Sequence, residues 1–228
     1  TRKTPAATSK VLRRHLEGTI FDQSFKYRSV VGKLNYLEQS TRPDIAYAAH
    51  QCARFSIDPR HQHGEAIRWL GRYLLGTRTQ GLILKPKDAC FDVFCDADFA
   101  GNWDHGEAEH DPDTARSRSG YIIMYAGCPV YWQSKLQTDI ATSTMESEYN
   151  AFSISMRGVI PLLELTRTIA HSLGINEIGL DKFQATKRPL KINTQVHEDT
   201  DGTAKLAGLE PGRMTPRSKH YGIKYHWF

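Results

Sequence analysis

At Gly81 the spacing of apolar residues changes, and that change limits what the chain can build. Before it, apolar residues recur every three or four positions. Val30, Val31, Leu34 and Leu37 fall on one face of a helix running from Tyr27 to about Gln39. Thr41-Arg-Pro-Asp44 breaks that helix, and Asp44 or Thr41 can cap a second one through Ile45, Ala49, Cys52 and Phe55. After Asp58-Pro59 a third helix, about His61 to Leu75, buries Ala66, Ile67, Leu70, Tyr73 and Leu74, and Gly76 stops it. Three helices on short breaks form a small structural module. Residues 1 to about 25 are basic and weakly patterned.

Beyond Gly81 the apolar residues alternate. Leu82-Ile-Leu84 reads as a short strand, and Phe91, Val93 and Cys95 mark the central one. Ser119 to Tyr125 and Pro129 to Gln133 are two more strands, joined by a hairpin turn at Ala126-Gly127. A long helix follows from Thr144 to about Leu173. Met145, Tyr149, Phe152, Met156, Val159, Leu163, Thr166 and Ile169 line its core face, and Pro161 implies a kink or a joint. Leu190 to Val196 alternates again, Thr200 to Leu206 is a short helix, and Ile223 to Phe228 begins a last strand. From the central strand onward the order is three strands, helix, strand, helix, strand. That order predicts an α/β domain on a mixed sheet (α+β), residues 81–228, preceded by the helical module, residues 1–80.

Acids stand at three comparable places in this order. Asp96 and Asp98 follow the central strand, at or just past its end. Ser143-Thr-Met-Glu-Ser-Glu-Tyr149 opens the long helix, and Val196-His-Glu-Asp-Thr-Asp-Gly202 closes the later strand. Read alone, each pair is a solvated loop or a helix cap. Taken together, carboxylates from strand, helix and strand suit divalent ions, which take oxygen ligands and, in pairs, clamp the attacking and leaving oxygens of a phosphodiester. A second acidic run, with Asp104, His105, Glu107, Glu109, His110, Asp111 and Asp113, has irregular spacing and reads as a solvated surface loop.

Composition removes several other classes. The hydrophobic fraction of 39% allows a core. No apolar run is long enough to cross a membrane, and none resembles a signal peptide. Cys52, Cys90, Cys95 and Cys128 lack the paired spacing of a zinc site and read as reduced thiols. The net charge of +5 favours an anionic partner, nucleic acid above all.

The residues also carry a family resemblance. Tyr27-Arg-Ser-Val-Val-Gly-Lys-Leu-Asn-Tyr-Leu37, Thr41-Arg-Pro-Asp-Ile-Ala46 and Ala66-Ile-Arg-Trp-Leu-Gly-Arg-Tyr-Leu74 resemble the end of a copia-type reverse transcriptase. Asp96-Ala-Asp-Phe-Ala-Gly101, Arg118-Ser-Gly-Tyr121, Trp132-Gln-Ser-Lys135, Ser143 to Tyr149 and Arg217-Ser-Lys-His220 resemble the ribonuclease H domain that follows it in copia-type retrotransposon Pol polyproteins. The ordered match runs from about residue 27 to the end.

The resemblance implies a ribonuclease H-like fold that cleaves the RNA strand of RNA–DNA hybrids during reverse transcription. It also implies Asp96, Glu148 and Asp199 as catalytic ligands of two Mg²⁺ ions, for which Mn²⁺ can substitute. Asp98, Glu146 and Asp201 are second choices, Glu146 being read as a cap or a surface acid. Lys205, Arg213, Arg217, Lys219, His220 and Lys224 are candidates for contact with the hybrid's phosphates. Further implied are the remainder of the polyprotein as partner, no membrane association, and an intracellular setting in cytoplasmic particles with later nuclear entry.

Two departures accompany this. Thr200 stands where the family usually has Asn. The family's fourth carboxylate, on a helix beyond the last strand, has no candidate up to Phe228, so the chain reads as a fragment whose metal binding and activity are weakened. The polymerase's own aspartate pair is also absent. The alternative is a non-catalytic nucleic-acid-binding or connection module, or an inactive remnant.

Overall fold

The computed structural model describes residues 1–7, 11–14, 17–175, 192–199 and 201–208. They fall into two compact units, one of residues 1–82 with 102–115, the other of residues 83–101 with 116 onward.

The first unit is helical. Helix α1 spans Tyr27–Thr41, α2 Ala46–Ala53 and α3 His61–Gly76, with one 3-10 turn over Pro43–Ile45 before α2. Leu34, Ile45, Ala48, Ala49, Leu70 and Tyr73 form one apolar cluster, and Phe21, Tyr27, Val31, Cys52 and Ile67 a second. Asp44 does not cap α2. Its carboxylate instead accepts from the Arg42 guanidinium at 2.8 and 2.9 Å and from the Tyr73 hydroxyl at 2.7 Å. This ties the α1–α2 corner to α3.

The segment 102–115 belongs to this unit, and it is not the solvated loop that its polarity suggests. Asp111 and Thr114 are each 1% exposed. Arg54 reaches Asp111 and Asp113 at 3.8 Å each, Arg14 donates to the His110 carbonyl at 3.3 Å, and Arg13 pairs with Asp104. Its three aspartates are thus paired with arginines of the same unit.

The second unit is a four-stranded mixed sheet with a long helix. Strand β1 spans Phe91–Asp98, β2 Arg118–Tyr125, β3 Cys128–Leu136 and β4 Thr194–His197, and the spatial order is β3-β2-β1-β4. β1 pairs antiparallel with β2 and parallel with β4. The β2–β3 hairpin turns at Ala126 and Gly127, both with positive φ (52° and 76°), the mirror-image turn whose twist matches paired strands. Helix α4, Thr144–Ser172, runs 29 residues and continues through Pro161. Helix α5, Asp201–Ala207, follows β4.

The core lies between the sheet and α4. Phe91, Val93, Cys95, Tyr121 and Ile123 from the strands meet Phe152, Met156, Val159 and Ala170 from the helix. Gly158 lets the helix sit close. A Cβ there would come within 3.0 Å of Ile123 Cδ1 and 3.2 Å of the Tyr131 ring. Gly158→Leu should therefore overpack this contact and destabilise by about 1–3 kcal/mol. Urea unfolding checks this, and an unchanged midpoint would show that the sheet and helix part without cost.

Three expectations need correcting. Leu82–Leu84 is in no strand, with Ile83 and Leu84 exposed at 82% and 68%. Alternation marks a strand only where a neighbour supplies its hydrogen bonds, and Leu82–Leu84 pairs with none of the described strands. β1 runs on through the carboxylates, with Asp96 inside it and Asp98 at its end, both at exposed positions. Ile169 is half exposed, because the core-facing stripe of α4 has turned to Ala170 by then. The last predicted strand, Ile223 to Phe228, lies outside the described residues. Among the described residues, no helix is long and apolar enough to cross a membrane.

Candidate functional site

Pleat and register set the first two acids of the site. Along β1, Phe91, Val93, Cys95 and Ala97 face inward, so Asp96 is turned outward. The parallel pairing sets Phe91 against Thr194 and Phe94 against His197. Carried one rung further it aligns Cys95 with Glu198, and two rungs further Asp96 with Asp199.

The third acid comes from the start of α4. Ser143 caps this helix by accepting from the Glu146 N–H at 3.1 Å. Glu146 in turn accepts from the Thr142 N–H at 2.7 Å and the Thr142 hydroxyl at 2.8 Å. That exchange holds Glu146 at the helix entrance and turns Glu148, two residues on, to the other side of the helix. Glu148 is 4% exposed and accepts the Ala97 N–H at 2.8 Å.

Carboxylate oxygens of Asp96, Glu148 and Asp199 then lie within 4.8 Å of one another, Glu148 buried and the two aspartates exposed. Burial first, then the charges of Glu198 and Asp96 and more weakly Asp199, raise the Glu148 carboxyl to about 7 against the pull of the Ala97 N–H. Converging like charges of this kind call for a proton or a cation. The donor set is all carboxylate oxygen, which fits Mg²⁺ or Mn²⁺ rather than a softer metal.

A carboxyl raised on folding favours the folded state when protonated. Its contribution is complete below the ordinary Glu value of 4.5 and is lost as pH rises to about 7. Metal-free protein should therefore lose stability across that interval, and Glu148→Gln should flatten the dependence. Thermal midpoints in EDTA at about pH 5 and about pH 8 measure it, and a Gln variant with the parent's slope would remove Glu148 as the source.

The second-choice acids are elsewhere. Asp98 shares the outward face of β1, but its carboxylate folds back over Gly101, where a Cβ would collide with it. Glu146 is a cap, and a buried one. Asp201 opens α5, where only its backbone is described. Lys205 is exposed on α5. Arg213, Arg217, Lys219, His220 and Lys224 lie outside the described residues.

Sequence reasoning missed Glu198. Its Oε2 accepts from the Cys95 thiol at 3.2 Å, and burial together with this carboxylate pushes that thiol well above its ordinary range. Alternation offered the signal, since the residue before an outward acid on a strand points inward. His197 was also passed over. Its ring stacks on Phe94 with centroids 4.3 Å apart, and its Nε2 lies 3.0 Å from Asp92 Oδ1.

Known proteins resemble the chain along most of its length. It is 32% identical over 201 residues to the retrovirus-related Pol polyprotein from transposon TNT 1-94 of Nicotiana tabacum, covering 88% of this chain and 13% of that protein. It is 36% identical over 228 residues to the Pol polyprotein from transposon RE1 of Arabidopsis thaliana, covering 98% of this chain and again 13% of the relative. A shorter relative, the secreted RxLR effector protein 161 of Plasmopara viticola, is 37% identical over 142 residues, covering 62% of this chain and 94% of its own length. The chain thus spans about an eighth of the polyproteins it matches. No family profile and no solved structure matches it.

Proposed function

This chain belongs with the retrovirus-related Pol polyproteins of transposons and the relatives that share this stretch with them, and from that premise we propose that it is their ribonuclease H region. Residues 81–228 hydrolyse the RNA strand of an RNA–DNA hybrid during reverse transcription. Residues 1–80 are the end of the preceding reverse transcriptase. The setting is a cytoplasmic particle of the element, followed by the nucleus.

The observation that carries this reading is the convergence of Asp96, Glu148 and Asp199. Further support comes from the sheet order β3-β2-β1-β4, with β4 parallel to β1, and from the long helix packed against β1 and β2. Such an order brings a strand end, a helix start and a second strand end to one edge.

Asp96, Glu148 and Asp199 would hold the divalent ions. When bound, such ions supply Lewis acidity for the attacking water and the leaving oxygen. The chain's own part is to fix the donors. The Ala97 N–H fixes one oxygen of Glu148, and the rungs of β1 and β4 align Asp96 with Asp199. The two aspartates stay open to solvent, where a phosphodiester can approach. Water attacks phosphorus, the bond to the 3′ oxygen breaks, and the products carry 3′-hydroxyl and 5′-phosphate ends.

The test is cleavage of an end-labelled RNA–DNA hybrid in Mg²⁺ and in Mn²⁺. Cutting of the RNA strand alone, stopped by EDTA and absent on duplex DNA, is the expected result. Hybrid binding without cleavage in either metal would instead make the chain a connection module.

A further inference from the structure

The backbone ladder between β1 and β4 stops two rungs short of the acids it aligns, leaving one rung between. Its last pair is Phe94 with His197, while Asp96 and Asp199 stand two residues beyond. The rung between is made by side chains. Cys95 Sγ donates to Glu198 Oε2 at 3.2 Å and lies 3.9 Å from the His197 carbonyl. Cys95 is the direct neighbour of Asp96, and Glu198 of Asp199. A tether here therefore acts on both metal-binding backbones at once.

Burial makes the tether firm. Cys95 is buried in the core under α4, beside Tyr121, Phe152 and Met156. The 3.2 Å separation sets the thiol as donor to the Glu198 carboxylate oxygen. Glu198 is half-buried, and the carboxylate oxygen that leaves solvent is stabilised there by the thiol it accepts from.

Resting on the ribonuclease reading, the geometry points to Glu198, held by Cys95, as a positioning residue that sets the separation of Asp96 and Asp199 for metal. It does not bind the ion itself. It replaces the missing backbone rung.

Isothermal titration of the metal-free chain with Mn²⁺ tests this without reference to activity. Glu198→Ala and Cys95→Ala should each weaken Mn²⁺ affinity by on the order of tenfold, the lower range for a residue that supports a metal ligand. The double variant should be no weaker than either single one, because both remove the same bond. Cys95→Ser, which restores a donor, should recover affinity, and so should Glu198→Gln, which keeps an acceptor. Amide exchange along β1 and α4 confirms that each variant is folded.

Parent affinity in folded Glu198→Ala overturns the proposal, provided that Asp199→Asn lowers it. Full additivity of the two alanine variants overturns it as well, since the residues would then act separately. If Asp96→Asn and Asp199→Asn also leave Mn²⁺ affinity unchanged, the ribonuclease reading has failed rather than the tether.

Discussion

Asp96→Asn is expected to lower cleavage of the RNA strand by on the order of 10³-fold or more, the scale on which single catalytic residues act. Affinity for the hybrid should stay close to the parent's. Asparagine keeps the shape of the side chain but replaces one donor oxygen by an amide nitrogen whose protons face the ion. It also removes one of the two exposed charges opposite the buried Glu148. Hybrid binding rests instead on cations meeting phosphates, and losing a carboxylate takes none of those away. Gel-shift affinity and cleavage of the same labelled hybrid, measured side by side, decide it. Cleavage at the parent's rate would put the chemistry somewhere other than the end of β1.

Phe91→Ala should be the most damaging change to the sheet. The ring is 2% exposed, opens β1, and packs on Tyr125 with centroids 4.7 Å apart. Removing such a ring costs about 3–5 kcal/mol. That is much of the roughly 5–15 kcal/mol by which a domain is stable. The loss should be confined to one unit, because the clusters around Leu70 and Ile67 in the helical unit share no residue with the one around Phe91. Amide exchange should speed up along β1, β2, β3 and α4 and stay slow in α1 and α3. Equal loss of protection in all of them would mean that the two cores unfold as one.

Much of this was legible from spacing alone. The three first helices, the central strand, the hairpin and the long helix all follow from where apolar residues recur, and their bounds shift by only a few residues. Spacing marked three acidic places, at β1, at the start of α4 and after β4, while the choice of Asp96, Glu148 and Asp199 within them came from the family resemblance. Other features depend on partners that spacing does not encode. Leu82–Leu84 alternates like a strand, but pairing is decided by what lies beside it. Asp98 and Asp96 look equivalent on β1 until the turn at Gly101 takes up the Asp98 carboxylate. Glu198 was hidden by its neighbour, since the outward Asp199 fits a metal and the inward residue becomes meaningful only opposite Cys95. The run from Asp104 to Asp113 misled for the same reason. Its counter-charges, Arg13 and Arg54, are remote in sequence.

The assignment of residues 102–115 to the helical unit bears on how such a region could be shuffled between longer proteins. The chain passes from one unit to the other three times, near residues 82, 101 and 115. No single cut divides it into two modules. A recombinant begun at residue 83 would carry a strip of the helical unit with it, leaving Asp111 and Thr114 stripped of cover and Asp111 without Arg54. Residues 1–82 alone would leave Arg54 without Asp111 and Asp113. Exchange therefore favours inheritance of both units together, or replacement of the 102–115 strip by a short turn between β1 and β2.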